Sequence, residues 1–155
     1  MKKVLMFVLP FLLPWITSFA APAQNTDSAV IEKFIAKQAT QENSEEYEDA
    51  RKVMAGDLNR DGVSDLAVLY TIEGQNGTNN YVQYLAVFMR TKDKLVPVAH
   101  TVVGGKLNRD VELKLIKNNV IFCQTLTYRA NDPASTPSKK RTARFALVKR
   151  KLKEL

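Results

Sequence analysis

The stretch GDLNRDGVSDLAVLY, residues 56–70, joins a polar turn directly to an apolar strand and decides the centre of the fold. Its turn carries four side chains that offer oxygen ligands: Asp57, Asn59, Asp61 and Asp65. Gly62 lies among them and can take a positive φ at little cost, which permits a sharp reversal of the chain. The residues from Leu66 to Tyr70 are apolar and rich in types that favour β structure. The stretch therefore predicts a tight acidic loop that leads into a buried strand.

The spacing of the polar residues predicts a calcium site. Ca2+ takes about six to eight oxygen ligands in flexible geometry, and a short loop supplies several when alternate residues point inward. The expected ligands are the side chains of Asp57, Asn59, Asp61 and Asp65 and the backbone carbonyl of Val63. Magnesium demands stricter octahedral geometry, and zinc prefers His and Cys ligands. The alternative is a polar turn with Asx-type hydrogen bonds and no metal. Repulsion among three carboxylates in an empty turn favours the ion.

The pattern Asp-x-Asn-x-Asp-Gly-x-x-Asp resembles the EF-hand loop. A helical EF-hand carries a bidentate glutamate where this chain has Val68, and the residues after the loop are strand-like here. The closer resemblance is to the strand-flanked calcium loops of the FG-GAP and VCBS kind. Those loops occur in tandem in integrin-type propellers, whereas this chain has one, which excludes a propeller.

A wider resemblance covers about residues 51–148. The segments that carry it are GDLNRDGVSDLAVLY, YLAVF, LVPVAHTVVGG and NDP…PSKK…RFAL. Their order is similar to that of a group of small exported bacterial domains of unassigned function. Members often carry a cysteine pair where this chain has Ser135 and Thr136, so a disulfide is missing here. The resemblance implies a single calcium-loop domain and supplies no activity.

The rest of the chain predicts one helix and several strands. Asp27 is expected to cap a helix that places Val30, Ile31, Phe34 and Ile35 on one face. The helix should end before TQENSEEYED, residues 40–49, which is interpreted as a linker or loop. Strands are expected at residues 52–55, 66–72, 81–90, 95–103, 111–116, 120–128 and 141–148.

Short turns between these strands favour antiparallel pairing, because parallel pairing needs a long crossover. We expect an α+β fold in which the N-terminal helix packs on a twisted, mainly antiparallel sheet of about six to seven strands. Both an open sheet and a closed barrel are compatible with the pattern.

The N-terminus has the pattern of a secretory signal peptide. Lys2 and Lys3 precede an apolar run at residues 4–16, and small residues around Ala20 suit cleavage there, with Ala23 as the alternative site. The run is shorter than the roughly 20 residues that span a bilayer, although an uncleaved anchor is the alternative. The expected organisation is a signal peptide at 1–20, a helix and acidic linker at 21–50, and a β-rich calcium-loop domain at 51–155. The mature protein is expected to be periplasmic or secreted, with no integral membrane segment.

Charge is unevenly distributed along the chain, whose net charge is +7. Residues 42–49 are acidic, and residues 139–153 are strongly basic. The basic end could meet an anionic surface such as lipid headgroups or cell-wall polymer, and a solvated strand face is the alternative. An exported location argues against nucleic acid as the partner.

Few residues suit catalysis. His100 is the sole histidine, and Cys123 is the sole cysteine and is expected to be a buried small hydrophobe. The chain has no HExxH, P-loop, dinucleotide or nucleophile-elbow pattern.

We therefore expect a non-enzymatic exported binding module with a structural calcium ion and a protein or cell-envelope polymer as its partner. One alternative is an inhibitor or immunity-type partner of a secreted hydrolase such as a lysozyme, against which the positive charge argues. The other is a hydrolase that uses His100.

Overall fold

A computed structural model describes residues 23–74, 77–92 and 94–155 of the protein. The predicted signal peptide, residues 1–20, lies outside these ranges. The described chain forms one helix, α1 (Ala23–Gln41), a short 3-10 helix at Glu48–Ala50 and nine strands. The strands are β1 Glu45–Glu46, β2 Lys52–Gly56, β3 Asp65–Glu73, β4 Tyr81–Thr91, β5 Lys94–Gly105, β6 Arg109–Lys117, β7 Val120–Thr127, β8 Lys139–Val148 and β9 Lys151–Glu154.

The α+β class and the antiparallel pairing are confirmed, and the expected number of strands is wrong. All seven predicted strands are present, and β1 and β9 bring the described total to nine. Both additional strands are short and charged, with the sequences EE and KLKE. They lack the apolar alternation by which a strand is recognised, because each lies at an edge of the sheet.

The strands follow one another in a meander that folds into two half-sheets. β1 and β2 pair with one edge of β3, and β4 and β5 follow on its other side, which completes the first half-sheet. The second half-sheet contains β6 to β9 in order. Between the two, β5 and β6 share only the pair Gly105↔Arg109. β2 approaches β6 and β5 approaches β9, so the second half-sheet lies against the first.

Gly104 permits the close approach of the half-sheets where β5 passes into β6. A Cβ at this position would lie 2.5 Å from the backbone oxygen of Arg109 and 2.8 Å from Cγ2 of Val111. Both distances are well inside van der Waals contact, and the first involves backbone that has no rotamer to change. Only glycine therefore fits this corner.

Strand β3 is buried on both faces, which explains its continuous apolar sequence. Its even-numbered residues, from Leu66 to Ile72, pack in a cluster with Ile31 and Ile35 of α1. The alternate residues Ala67 and Leu69 pack in a second cluster against the second half-sheet. The molecule thus has three layers: α1, the first half-sheet and the second half-sheet.

The helix begins earlier than predicted, so the expectation that Asp27 is its cap is wrong. α1 begins at Ala23, and Asp27 lies within it. The carboxylate of Asp27 accepts hydrogen bonds from both Nη atoms of Arg90, on β4. A partner so distant in sequence is invisible to a local capping pattern. No helix of the described ranges has the length and apolarity to cross a membrane.

The acidic segment after α1 is part of the sheet edge and not a free linker, which corrects the prediction for residues 40–49. Glu45 and Glu46 pair with Glu73 and Ile72 of β3. Glu46 also accepts a 2.7 Å hydrogen bond from Nε of Arg51. Glu42 accepts a 2.6 Å hydrogen bond from the hydroxyl of Tyr84 on β4. Side-chain bonds to the sheet hold the segment in place despite its polar composition.

Candidate functional site

The acidic loop connects β2 to β3, and its two ends lie opposite each other in the sheet. Gly56 and Asp65 are register partners, so residues 57–64 form the whole connection. Leu58 is buried in the cluster between the half-sheets and anchors the loop from within. On the strand that follows, Leu66, Val68 and Tyr70 are buried against α1.

Asp57 is surrounded by backbone amides of its own loop. Its Oδ1 accepts hydrogen bonds from the N–H groups of Asn59 at 3.1 Å and Arg60 at 2.6 Å, and its Oδ2 accepts one from Gly62 at 3.0 Å. Gly62 has a φ of +80°, which confirms the predicted left-handed turn. Desolvation raises the pKa of Asp57, but the backbone N–H groups of the loop outweigh it and hold that pKa below its usual value. The carboxylate is therefore ionised at neutral pH.

Asn59 and Asp61 meet on the exposed side of the same loop. Nδ2 of Asn59 donates to Oδ2 of Asp61 at 2.7 Å, and Oδ1 of Asn59 accepts from the N–H of Asp61 at 2.9 Å. The other oxygen of Asp61 accepts from the N–H of Val63 at 2.8 Å. Val63 itself is 42% exposed. Three of the expected side-chain ligands, Asp57, Asn59 and Asp61, are thus gathered by the curl of the loop.

Asp65 occupies a different environment from the other three. It is completely buried, and its Oδ2 accepts a 3.0 Å hydrogen bond from the N–H of Leu58 while its Oδ1 accepts a 2.9 Å bond from the N–H of Arg90. In the described part of the chain, no three Asp, Glu, His or Cys side chains come close enough to hold a metal ion together. The carboxylate of Asp65 fastens the loop to β3 and β4, a role that its spacing in the sequence did not indicate.

A hydrogen bond also joins the loop to the second half-sheet. Nε of Arg60 donates to Oδ1 of Asn119, in the turn between β6 and β7, at 2.6 Å. Both residues have a positive φ, 68° for Arg60 and 65° for Asn119. Sequence reasoning missed this contact because its partners are 59 positions apart and no local pattern relates them.

His100 and Cys123 lie in different layers, so the structure does not bring them together as a catalytic pair. The ring of His100 is exposed beside Phe34 at a centroid distance of 5.6 Å, in a groove of about 400 Å³ between α1 and β5. Cys123 is buried between the half-sheets, as predicted. Burial raises the pKa of its thiol to about 11, so the thiol is not an ionised nucleophile at neutral pH.

A second concave surface, of about 750 Å³, lies beside β1 and the connection between β3 and β4. Its lining is polar and includes Glu45, Glu73, Tyr81 and Lys106. The hydroxyl of Tyr81 donates to Asp110 at 2.6 Å, and Nζ of Lys106 donates to the backbone oxygen of Asn79 at 2.7 Å. The first bond joins β4 to β6, and the second joins the turn between β5 and β6 to the connection between β3 and β4.

Comparisons of the chain with protein-family models, with curated proteins and with solved structures find no match. The resemblance to strand-flanked calcium loops and to small exported domains therefore stays a prediction that rests on the residues themselves.

Proposed function

We propose that the protein is a non-enzymatic binding module that acts in the periplasm or after secretion and that its loop at residues 57–65 holds one Ca2+ ion. The ion has a structural role, which is to stabilise the fold. The observation that carries the proposal is the grouping of Asp57, Asn59 and Asp61 in a loop that reverses at Gly62 with a φ of +80°.

The donors of this loop suit calcium. Asp57 and Asp61 offer carboxylate oxygens, Asn59 offers its amide oxygen, and Val63 offers a backbone carbonyl, all of which are hard ligands. Asp65 is completely buried, and its two oxygens accept amide hydrogen bonds from Leu58 and Arg90, so its part in the site is to hold the ends of the loop in place. Calcium would offset the repulsion between the carboxylates of Asp57 and Asp61.

The expected affinity is weak to moderate. The bidentate glutamate of a helical EF-hand is replaced by Val68, which is buried in β3. Loops with fewer charged ligands fall on the order of 10⁻⁵ to 10⁻³ M. Calcium at about 100 times its dissociation constant stabilises a folded protein by roughly 2.7 kcal/mol. Because Arg60 joins the loop to the turn of the second half-sheet, ordering the loop would also strengthen the contact between the half-sheets.

The positions of the two reactive side chains support a binding role over catalysis. Cys123 is a buried thiol with a raised pKa, and His100 lies in another layer against an aromatic ring. A hydrolase that depended on His100 would lose its activity in His100→Ala while keeping its fold, and that result would contradict the proposal.

Calorimetry and thermal melting test the calcium site directly. Wild-type protein should release or absorb heat with calcium and melt at a higher temperature in millimolar calcium than in EDTA. Asp61→Asn should abolish both effects, because it removes an exposed charged ligand at constant size. Asp49→Asn is the matched control, since Asp49 is exposed, lies outside the loop and loses the same charge. Equal melting temperatures in the two buffers, together with no heat change on calcium titration, would contradict the proposal. The loop would then be a polar turn that binds no metal.

A further inference from the structure

The outer face of the second half-sheet carries a concentration of positive charge. In β8 the buried residues Ala143 and Phe145 alternate with exposed neighbours, among them Arg144, that point away from the core. Directly paired residues of adjacent strands lie on the same face of a sheet. The pairs Ala146↔Lys153 and Val148↔Lys151 therefore place the lysines of β9 on this outer face. We name five exposed residues of this side the basic face: Lys117, Lys140, Arg144, Lys151 and Lys153.

The C-terminal strands contain almost no compensating negative charge. Within residues 139–155 the basic residues are Lys139, Lys140, Arg141, Arg144, Lys149, Arg150, Lys151 and Lys153. The single acidic residue of this segment, Glu154, is paired with Arg109 of β6 at 2.7 Å. None of these eight cations forms an ion pair with another described residue. The cations of such a surface repel one another, and together they attract anions.

The acidic residues near the basic face are already engaged. Asp110 accepts a hydrogen bond from the hydroxyl of Tyr81, and Glu112 forms an ion pair with Lys114. Lys114 offsets the charge of Glu112, and Asp110, which shares the face of Lys140, keeps its negative charge. The five cations of the basic face outnumber that charge, so the face stays net positive.

Apolar side chains are interspersed with these cations. Leu115 pairs with Phe122, which pairs in turn with Arg144, so the three share the outer face. Leu115 is 44% exposed, and Val148, opposite Lys151, is 38% exposed. Exposed apolar side chains surrounded by cations suit a partner that has an apolar layer directly beneath its anionic groups.

We propose that the basic face docks on the surface of an anionic phospholipid bilayer. Four strands spaced about 4.8 Å apart spread their side chains over a pleated surface on the order of 15 Å wide, which matches a plane of headgroups better than one small ligand. The lysines and arginine contact lipid phosphates, and Leu115 and Val148 reach the boundary of the acyl chains. The proposed location outside the cytoplasm supplies such a membrane and removes nucleic acid as a competitor, so the inference rests on that part of the proposed function and not on calcium.

Vesicle co-sedimentation of the purified protein tests this docking. Binding should be strong to phosphatidylcholine vesicles that contain phosphatidylglycerol and weak to phosphatidylcholine alone. It should fall when the ionic strength is raised from about 0.05 M to about 0.5 M, because the Debye length shortens. The same binding should be seen in EDTA, so a failed calcium titration and a failed vesicle assay are separate results.

Variants locate the contact on the basic face. Each cation near an anionic surface contributes about fivefold to partitioning, so Lys140→Gln/Arg144→Gln/Lys153→Gln should weaken binding about a hundredfold. The control Lys33→Gln/Lys37→Gln/Lys94→Gln removes the same charge from α1 and β5 and should weaken it less than tenfold. Lys140→Gln alone, with an expected loss of about fivefold, covers the case in which the triple variant does not fold.

Three results would overturn the proposal. One is equal weakening by both triple variants, which would reflect net charge alone. Another is equal binding to neutral and anionic vesicles. The third is retention on insoluble peptidoglycan without any binding to vesicles, which would assign the basic face to a cell-wall polymer.

Discussion

The backbone N–H of Leu58 donates a 3.0 Å hydrogen bond to Oδ2 of Asp65, seven residues later, inside the protein. The other oxygen of the same carboxylate accepts a 2.9 Å bond from the N–H of Arg90. One buried charge therefore joins the start of the acidic loop, the start of β3 and the end of β4. Its two amide donors compensate for the loss of hydration that burial imposes.

Asp65→Asn should destabilise the protein in calcium and in EDTA alike. The amide replaces one acceptor oxygen with an NH2 group that faces a backbone donor, so a buried hydrogen bond is lost. Loss of a hydrogen bond to a charged group should lower the free energy of unfolding by about 1.5–3 kcal/mol, measured by urea denaturation. Asp61→Asn is the comparison. Because Asp61 is exposed, this substitution should change the free energy of unfolding little in EDTA. An effect of Asp65→Asn that is confined to calcium buffer would instead make Asp65 chiefly a ligand.

Tyr70→Phe should stabilise the protein. Tyr70 is completely buried, and its hydroxyl has no hydrogen-bond partner among the described residues. Phenylalanine keeps the stacking of its ring on Tyr84, whose centroid lies 5.2 Å away. Removal of an unsatisfied buried polar group should raise the free energy of unfolding by about 1 kcal/mol.

Tyr84→Phe is the control for Tyr70→Phe, because it removes a hydroxyl that does have a hydrogen-bond partner. The hydroxyl of Tyr84 donates to Glu42 at 2.6 Å, so its removal should lower the free energy of unfolding by about 1 kcal/mol. Destabilisation by both variants would mean that the hydroxyl of Tyr70 has a partner in solution.

Stability in calcium-free buffer should depend on pH through Asp57. Because the pKa of Asp57 is lowered in the folded state, its contribution is fully present above the unfolded value of about 3.9 and is lost as the pH falls through the folded pKa. Asp57→Asn should therefore destabilise the protein at about pH 7, and the difference from wild type should shrink at about pH 3. Urea denaturation at the two pH values measures this difference, with Asp49→Asn as the control. A difference that stays constant with pH would show that the charge of Asp57 makes no contribution.

The acidic loop and the central strands could be predicted because their signals are local. Gly62 and the spaced polar residues specify the turn, and the apolar run after Asp65 specifies β3. The pair Asn118–Asn119 indicates a turn for the same reason, since asparagine tolerates the observed φ values of 51° and 65°. Local chemistry and global fold agree at these positions.

The missed features depend on partners that are distant in sequence or on residues that carry no turn signal. Lys149 and Arg150 take φ values of 48° and 61° in the two-residue turn before β9, although neither residue type favours that conformation. The hairpin is fixed by the pairing of β9 with β8, which a local pattern does not show. The buried role of Asp65 was hidden likewise, because its second donor, Arg90, belongs to another strand.

Gly104→Ala should destabilise the protein more than a typical glycine substitution in a turn. The new methyl group would lie 2.5 Å from the backbone oxygen of Arg109, so β5 and β6 would have to separate at the corner between the half-sheets. Overpacking of this kind costs about 1–3 kcal/mol in the free energy of unfolding, which urea denaturation measures. Gly77→Asn is the control: Gly77 has a φ of +71° with open space around its Cβ position, and asparagine tolerates this conformation. Equal stability of Gly104→Ala and Gly77→Asn would contradict the prediction. It would mean that β5 and β6 leave room for a methyl group at this corner.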